Sequence, residues 1–163
     1  MIQVDDMDAR EMADLLQHVG YGHLGCAESN IPYVIPVNYV VDNDVIYIYT
    51  TLGKKVEIIE QNPNICLQVE IVKDKTDWQS VIVQGIAKQV TDPTEREHAI
   101  KLIRETNPTL SPALSIRWVD NWIRENREVV LRLEPTRETG RRSVIVERTA
   151  AGAQPVPRSG NAF

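Results

Sequence analysis

Aromatic residues are scarce in this chain of 163 residues, which contains one Phe, five Tyr and three Trp. The hydrophobic share of 42% is therefore mostly aliphatic, and its many Val and Ile residues favour a β-rich core. No apolar run approaches the roughly 18–20 residues that span a bilayer, so no transmembrane helix is expected. The length suits a single domain, since domains usually hold roughly 100–200 residues.

Cysteine and positive charge are also in short supply. Cys26 and Cys66 form neither a CxxC motif nor a disulfide framework, as expected of reduced thiols in a cytoplasmic protein. The net charge of −5 argues against broad binding to a nucleic-acid backbone. The acidic N-terminal segment lacks the basic-then-apolar order of a signal peptide. No two histidines have the spacing of metal ligands, so no metal site is predicted.

The periodicity of the apolar residues predicts one short helix followed mainly by strands. Asp6 or Asp8 can cap this first helix, because apolar residues then recur at spacings of three and four. Strands are predicted at 21–27, 31–41, 45–50, 65–73, 80–91 and 128–133, with a weak one at 143–146. Further helices are predicted at 54–61, from Asp92 onward, and from Ser111 to about Asn126, where Trp118 and Trp122 would face the core or a dimer interface.

About six short, apolar strands with few helices predict a mainly β fold, a small closed barrel with flanking helices. Closure hides the strand edges, which would otherwise pair with other chains. Residues 1–148 are assigned to this one domain. The Ala-, Gly- and Pro-rich segment 149–163 is predicted to be a flexible C-terminal tail.

The segment YTTLGKK, residues 49–55, has the chemistry of an anion site. It runs from an apolar strand through Gly53 into the first turn of a helix, where backbone N–H groups point outward. Lysines are unfavourable at a helix N-terminus because the macrodipole is positive there, so Lys54 and Lys55 together suggest a bound anion. On this local pattern alone, a pair of solvated surface lysines is equally compatible.

Two prolines interrupt the strand IPYVIPVNY, residues 31–39. Because proline has no N–H for the strand ladder, Pro32 and Pro36 indicate a sheet edge or a bulge. Such an edge leaves backbone amides and carbonyls free to pair with a flat heterocycle. A plain edge strand is the simpler interpretation of this segment by itself.

Taken together, PYVIPV, IYIYTTLGKK, QNPNICLQV and SVIVQGIAKQV resemble the pyridoxamine-phosphate-oxidase-like flavoproteins. The order and spacing of these segments agree over about residues 20–92. The segments YGHLG and PYVIPVNY are most similar to the nitroimidazole-resistance-like branch of that family. The resemblance implies a six-stranded antiparallel split barrel that binds FMN, and a homodimer with the cofactor at the subunit interface.

The resemblance also implies roles for individual residues in a flavin-dependent oxidoreductase acting on a small molecule. Lys54 and Lys55 would hold the FMN phosphate, and Ser80 would make a polar contact to the flavin. The edge of the flavin ring would be contacted by Val34, Ile35, Pro36, Val37 and Asn38. The ribityl–phosphate end would be contacted by Tyr49, Thr50 and Thr51.

The chain departs from the family pattern at two points. It has no histidine after His98, whereas pyridoxamine-phosphate oxidases end in an Arg-Leu-His type motif, and Tyr49 stands where the nitroimidazole-resistance branch usually has histidine. His23 shares a strand face with Tyr21 and Gly25, and a structural role is the more common one for such a histidine. Three alternatives therefore stay open: a split barrel that uses deazaflavin or haem, a flavin-binding sensor without a dedicated substrate, or an empty structural barrel.

Overall fold

Helix caps and tight turns divide the chain into its elements. The computed structural model describes residues 2–107, 118–119, 122–123 and 128–145. The elements are, in chain order, β1 (Ile2–Asp6), α1 (Ala9–Val19), β2 (Tyr21–Glu28), β3 (Ile31–Asp42), β4 (Val45–Thr51), α2 (Lys54–Gln61), β5 (Asn64–Val72), β6 (Trp78–Gln89), α3 (Pro93–Thr106), β7 (Trp118–Val119), β8 (Trp122–Ile123) and β9 (Glu128–Ile145).

Both long helices begin at an aspartate. The Asp8 carboxylate accepts a hydrogen bond from the backbone N–H of Glu11, and the Glu11 carboxylate accepts one from the backbone N–H of Asp8. This reciprocal capping box fixes the start of α1. Asp92 caps α3 by accepting from the backbone N–H of Glu95. The helices predicted at these two places are confirmed.

Six strands close into an antiparallel barrel. The order around it is β9-β4-β3-β2-β5-β6, and β6 pairs back onto β9. The strand β9 joins the two open edges because its first part pairs with β4 and its longer middle part pairs with β6. Its end pairs with β1, which adds a seventh strand outside the ring. The predicted six-stranded antiparallel split barrel is confirmed.

The barrel interior is filled by aliphatic side chains from all its strands. Residues on β4 alternate between this interior and an outer layer under α3, as the period of two in a strand requires. Ile46 and Ile48 point inward, whereas Tyr47 packs outside with Ala99 and Ile103 of α3. The most buried interior residues include Leu24, Ile46, Ile48, Leu67, Val81, Val83, Leu131 and Leu133. Both faces of β4 are covered, as its apolar sequence predicts.

Two sequence predictions are wrong at the C-terminal end of the fold. The predicted helix from Ser111 to Asn126 is extended where it is described, because 118–119 pairs antiparallel with 122–123. Each of these stretches joins a Trp to a β-branched residue, a combination that suits strands. The remainder of that prediction and the predicted tail lie outside the described residues.

The second error concerns the last strand, which was predicted as two pieces, 128–133 and 143–146. The strand β9 instead runs without a break from Glu128 to Ile145. Gln84 of β6 pairs with Arg137 and the next residue, Gly85, pairs with Pro135, so Thr136 has no partner and forms a bulge. This bulge lets the strand continue past Pro135. Among the residues that the structure describes, no helix is both long and apolar enough to cross a membrane.

Candidate functional site: a groove over strand β2

A groove of about 510 Å³ lies on the outer surface of the barrel, over β2. Its floor is low because the outward-facing residues of β2 here are the small Gly25 and Ala27, which alternate with the buried Leu24 and Cys26. One row of lining residues crosses the sheet at its middle, since Gly25 lies opposite Val34 of β3 and also opposite Cys66 of β5.

The N-terminus of α2 lies beside the end of this groove. Gly53 provides no side-chain cap, so the first backbone N–H groups of the helix stay available to an acceptor. The Nζ atom of the exposed Lys54 lies 3.0 Å from Oε2 of Glu28, the last residue of β2. This ion pair connects the start of the helix to the strand that carries the groove floor.

Lys55 occupies a different environment from Lys54. Its side chain is half-buried, and this burial lowers the pKa of its ammonium group. Burial raises the pKa of the nearby Cys26 thiol, and the positive charge of the Lys55 ammonium partly opposes this increase. Within the described part of the chain, the Lys55 side chain makes no hydrogen bond and no ion pair. A half-buried cation without a counter-ion is costly, and a bound anion would remove that cost.

The first half of β3 is a free sheet edge. Residues 31–38 pair with β2, but pairing with β4 begins only at Asn38. The two prolines thus stand where β3 has a single neighbour, as their positions predict. Val34, Pro36 and Asn38 face outward along this edge, whereas Ile35 packs against the barrel core and Val37 is buried in it, 4% exposed. The side chains of Ile35 and Val37 therefore lie away from the outer surface.

The strand end that precedes α2 sends its side chains in different directions. Thr50 is buried on the inner face of β4, and Thr51 is half-buried on the opposite face. Tyr49 lies in the layer under α3, and its hydroxyl donates a hydrogen bond to Glu128. Burial, together with this hydrogen bond, raises the pKa of Tyr49 to about 12. The Tyr49 phenol is therefore engaged in the fold and does not line the groove.

Ser80 lies on β6, three strands away from β3 in the sheet order. At about 4.8 Å between neighbouring strands, this separation is about 14 Å. Its hydroxyl accepts a hydrogen bond of 3.2 Å from Nε2 of Gln68 on the intervening β5. Ser80 also lines a second cavity of about 690 Å³, which extends towards β1.

The structure brings some predicted site residues together and separates others. Val34 lines the groove, whereas Lys54 and Lys55 are connected to it through β2: Lys54 pairs with Glu28, and Lys55 lies near Cys26. Two lining residues, Gly25 and Cys66, are not predicted from the sequence, and neither are Glu28 and Gln68, which lie on β2 and β5 outside the lining. One sequence pattern indicates that Gln68 faces outward: Asn64, Gln68 and Glu70 alternate with apolar residues along β5. Contacts such as Gly25–Cys66 join residues far apart in the chain and have no local signature.

The strand order defines a class, the antiparallel split barrels, and the outer surface of this one carries a groove over β2. The chain belongs to the pyridoxamine 5'-phosphate oxidase family, whose sequence model matches residues 8–142. It is 27% identical over 86 residues to the uncharacterized protein RA0666 of Rhizobium meliloti, a match that spans 50% of this chain and 57% of that relative.

Two solved structures show the same architecture. A FAD-binding protein from Mesorhizobium loti is 27% identical, with a TM-score of 0.69 over 85% of this chain and 97% of that one. A candidate 5-nitroimidazole antibiotic resistance protein from Bacteroides thetaiotaomicron is 17% identical and has a TM-score of 0.66. That match covers 88% of this chain and 89% of the other, and it supports the fold alone.

Proposed function

We propose that this protein binds FMN in the groove over β2 and acts as an FMN-dependent oxidoreductase on a small molecule. The observation that carries the proposal is Lys55, a half-buried ammonium that lacks a counter-ion among the described residues, at an uncapped helix N-terminus. A terminal phosphate supplies the missing negative charge and accepts from the free N–H groups of α2.

The dimensions of the groove suit an elongated ligand. From Glu28, which pairs with Lys54, to His23 beyond the lining residues Gly25–Ala27, β2 rises about 16 Å. The small residues Ala27 and Gly25 leave space between these ends for a ribityl chain. The free edge of β3 offers backbone groups to a flat ring. These features support a phosphate at one end and the isoalloxazine ring at the other.

FMN, when bound, supplies the electron-transfer chemistry, and the chain supplies binding and orientation. The Mesorhizobium loti relative is a FAD-binding protein, which supports a flavin of some kind. Among the residues that the structure describes, Lys55 is the one unpaired cation at the start of α2, which favours one terminal phosphate and hence FMN rather than FAD.

A second copy of the chain would complete the site. Tyr21, Val34 and Ile82 face outward on the same surface and are 47%, 64% and 41% exposed. Exposed apolar side chains grouped in this way are typical of protein interfaces. We propose that a homodimer covers them and encloses the ring, which predicts a solution mass of twice the 18.5 kDa of the chain.

Titration of the purified protein with FMN, FAD and riboflavin, followed by flavin fluorescence, tests the cofactor. FMN should bind tightest, riboflavin at least tenfold more weakly, and Lys55→Ala should weaken FMN but leave riboflavin unchanged. Lys101→Ala, an exposed lysine on α3, is the matched control. Failure of FMN to bind would refute the proposal. Tighter binding of FAD than of FMN would show that the cofactor is FAD instead.

The reaction requires its own test. The FMN-loaded protein should oxidise NADH or NADPH in the presence of an acceptor, measured as loss of nicotinamide absorbance. Full flavin loading without oxidation of either donor would instead favour the flavin-binding sensor.

A further inference from the structure

A further cavity opens where β9 leaves β4. The pairing of these two strands stops at Ile46 and Leu133, and from Glu134 onward β9 continues beside β6. A gap is left between the β3–β4 turn and the part of β9 that follows, and residues of α1 border this gap. The gap forms a cavity of about 550 Å³, which we call the turn cavity.

The inner wall of the turn cavity is apolar. Leu16 of α1 and Ile46 of β4 line it and are buried in the barrel core. Val41, which lies opposite Ile46 in the β3–β4 hairpin, packs against the same core. Small-molecule sites combine a volume of this order with mostly apolar walls and a few polar groups. The wall therefore favours a ligand with an apolar body.

Glu138 brings a carboxylate to the inner face of β9. It lies opposite Val83, which is fully buried, and residues directly opposite each other in antiparallel strands share a face of the sheet. Gly140, two residues further along and hence on the same face, is close to α1, because a Cβ atom added there would lie 2.8 Å from Cγ of Met12. The Glu138 carboxylate is therefore on the α1 side of β9, where it lines the turn cavity.

A second carboxylate, that of Asp44 in the β3–β4 turn, borders the cavity from the hairpin side. Within the described part of the chain, neither Asp44 nor Glu138 makes a side-chain hydrogen bond or an ion pair. The described residues that line the cavity include no lysine, arginine or histidine. The negative charge of the cavity is thus left without a neutralising side chain in its lining, and charge complementarity favours a cation.

We propose that the turn cavity binds a small organic cation, a primary ammonium group attached to an apolar body. The ammonium would donate hydrogen bonds towards Asp44 and Glu138, and the apolar body would lie against the inner wall. Charge-assisted hydrogen bonds of this kind are the stronger ones in proteins. The carboxylates give the site its selectivity for charge, and the wall supplies the area that is buried.

The bulge in β9 separates this site from the groove over β2. Thr136, the bulged residue, lines the groove, whereas Pro135 and Glu138 on either side of it line the turn cavity. None of the described residues lines both. The inference therefore goes beyond the proposed function and does not depend on it.

Three probes of similar shape test the charge of the ligand. At neutral pH 2-phenylethylamine is a cation, 2-phenylethanol is uncharged and 3-phenylpropionate is an anion. In calorimetric titrations the wild-type protein should bind the amine at one saturable site, about tenfold more tightly than the alcohol, as expected for charge-assisted hydrogen bonds. The anion should bind more weakly than the alcohol. Equal affinities for amine and alcohol, or no saturable binding of the amine, would overturn the proposal.

Removal of the two carboxylates locates the site. Asp44→Asn and Glu138→Gln keep the size of each side chain and should each weaken the amine about threefold, because each removes one charged acceptor. The double variant should bind the amine and the alcohol equally. Glu60→Gln, at an exposed position on α2, makes the same change in net charge as either single variant and should behave like the wild type. Undiminished binding of the amine by the double variant would overturn the inference.

Two further comparisons separate the turn cavity from other places for a cation. Glu138 also lines the cavity of about 690 Å³, whereas Asp44 does not, so a loss of affinity in Glu138→Gln alone would assign the amine to that larger cavity and overturn the inference. Ala13→Trp adds bulk at the exposed rim of the turn cavity without a change in charge, and it should weaken amine and alcohol alike. Ala13→Leu should cause a smaller loss in the same direction.

Unchanged amine binding in both Ala13 variants would place the cation on the open surface and would also overturn the inference. Thermal unfolding of each variant shows that a change in affinity does not come from loss of the fold. The titrations use the protein without added flavin, so their result does not depend on whether FMN binds in the groove.

Discussion

The hydroxyl of Tyr49 donates a 2.7 Å hydrogen bond to Oε1 of Glu128, which ties the end of β4 to the start of β9. Glu128 is itself held by Arg96 of α3, whose guanidinium donates to its backbone carbonyl at 3.3 Å. The first hydrogen bond joins β4 to β9, and the second holds α3 over these two strands.

The Tyr49 hydrogen bond predicts a defined dependence of stability on pH. Its folded pKa of about 12 lies above the unfolded value of about 10. The protonated phenol therefore contributes stability fully below pH 10, and this contribution is lost as the pH rises towards 12. Tyr49→Phe should lose about 1 kcal/mol at pH 7 in urea unfolding, and its gap to the wild type should narrow above pH 10. Tyr33→Phe, whose hydroxyl has no hydrogen bond within the described residues, is the control. An unchanged gap across this range would contradict the prediction.

Removing the carboxylate that neutralises Lys54 should strengthen phosphate binding. In Glu28→Gln the ammonium loses its ion-pair partner and can turn to a ligand anion. We expect FMN affinity to rise about two- to fivefold, with the larger effect at low ionic strength, because exposed pairs contribute little and are screened by salt. Fluorescence titrations at two salt concentrations measure this change. Glu57→Gln in the same helical turn, which forms no ion pair with Lys54, should show a smaller effect. Weaker binding by Glu28→Gln would argue that this carboxylate helps to hold the ligand.

A side chain at Gly25 should close the groove. A Cβ atom added there would lie 2.7 Å from Sγ of Cys66, the end of a side chain that can rotate away. Gly25→Val should therefore fold but bind FMN at least tenfold more weakly in fluorescence titrations. The double variant Gly25→Val with Cys66→Ala relieves the close contact without reopening the groove, so stability should recover and affinity should not. If the double variant regained FMN affinity, FMN would bind at a site other than the groove over β2.

Gly85 permits a much closer approach between backbones. A Cβ atom there would lie 2.2 Å from the carbonyl oxygen of Glu134, which cannot rotate away as a side chain can. Gly85→Ala should destabilise the protein by about 3 kcal/mol in urea unfolding, because the bulged pairing of β6 with β9 must shift. Gly25→Ala, which meets only a movable sulfur atom, should lose less than about 1 kcal/mol. Equal losses in the two variants would show that β9 yields at the bulge.

The sequence was most informative where a pattern is local. Asp8 and Asp92 mark helix starts through contacts three residues away. The sequence predicts a helix start at Asp92, and for the first helix it leaves the cap open between Asp6 and Asp8. The edge position of Pro32 and Pro36 follows from their missing N–H groups. The sequence does not predict β1, because Ile2 and Val4 are its only apolar residues and both are exposed. Its strand conformation depends on pairing with the distant end of β9.

The candidate site divides in the same way. Lys54 and Lys55 were predicted because a strand, a glycine and a helix start follow one another in the chain. The different roles of the two lysines depend on Glu28, which comes near Lys54 only when α2 packs against β2. Tyr49 belongs to the same sequence motif, yet strand alternation turns its phenol under α3. The hydrogen bond between Gln68 and Ser80 joins two strands, so the register of the sheet had to be known.

The position of β9 in the chain determines when the barrel can close during synthesis. It is the last described element of the chain, yet it pairs with both β4 and β6. A ribosome-bound chain that has emerged only as far as residue 127 keeps both of these edges open. Contacts between such distant parts of a chain form slowly, and open strand edges invite aggregation. Nascent chains truncated before Glu128 should therefore depend on chaperones, and release from them should follow the emergence of residues 128–142.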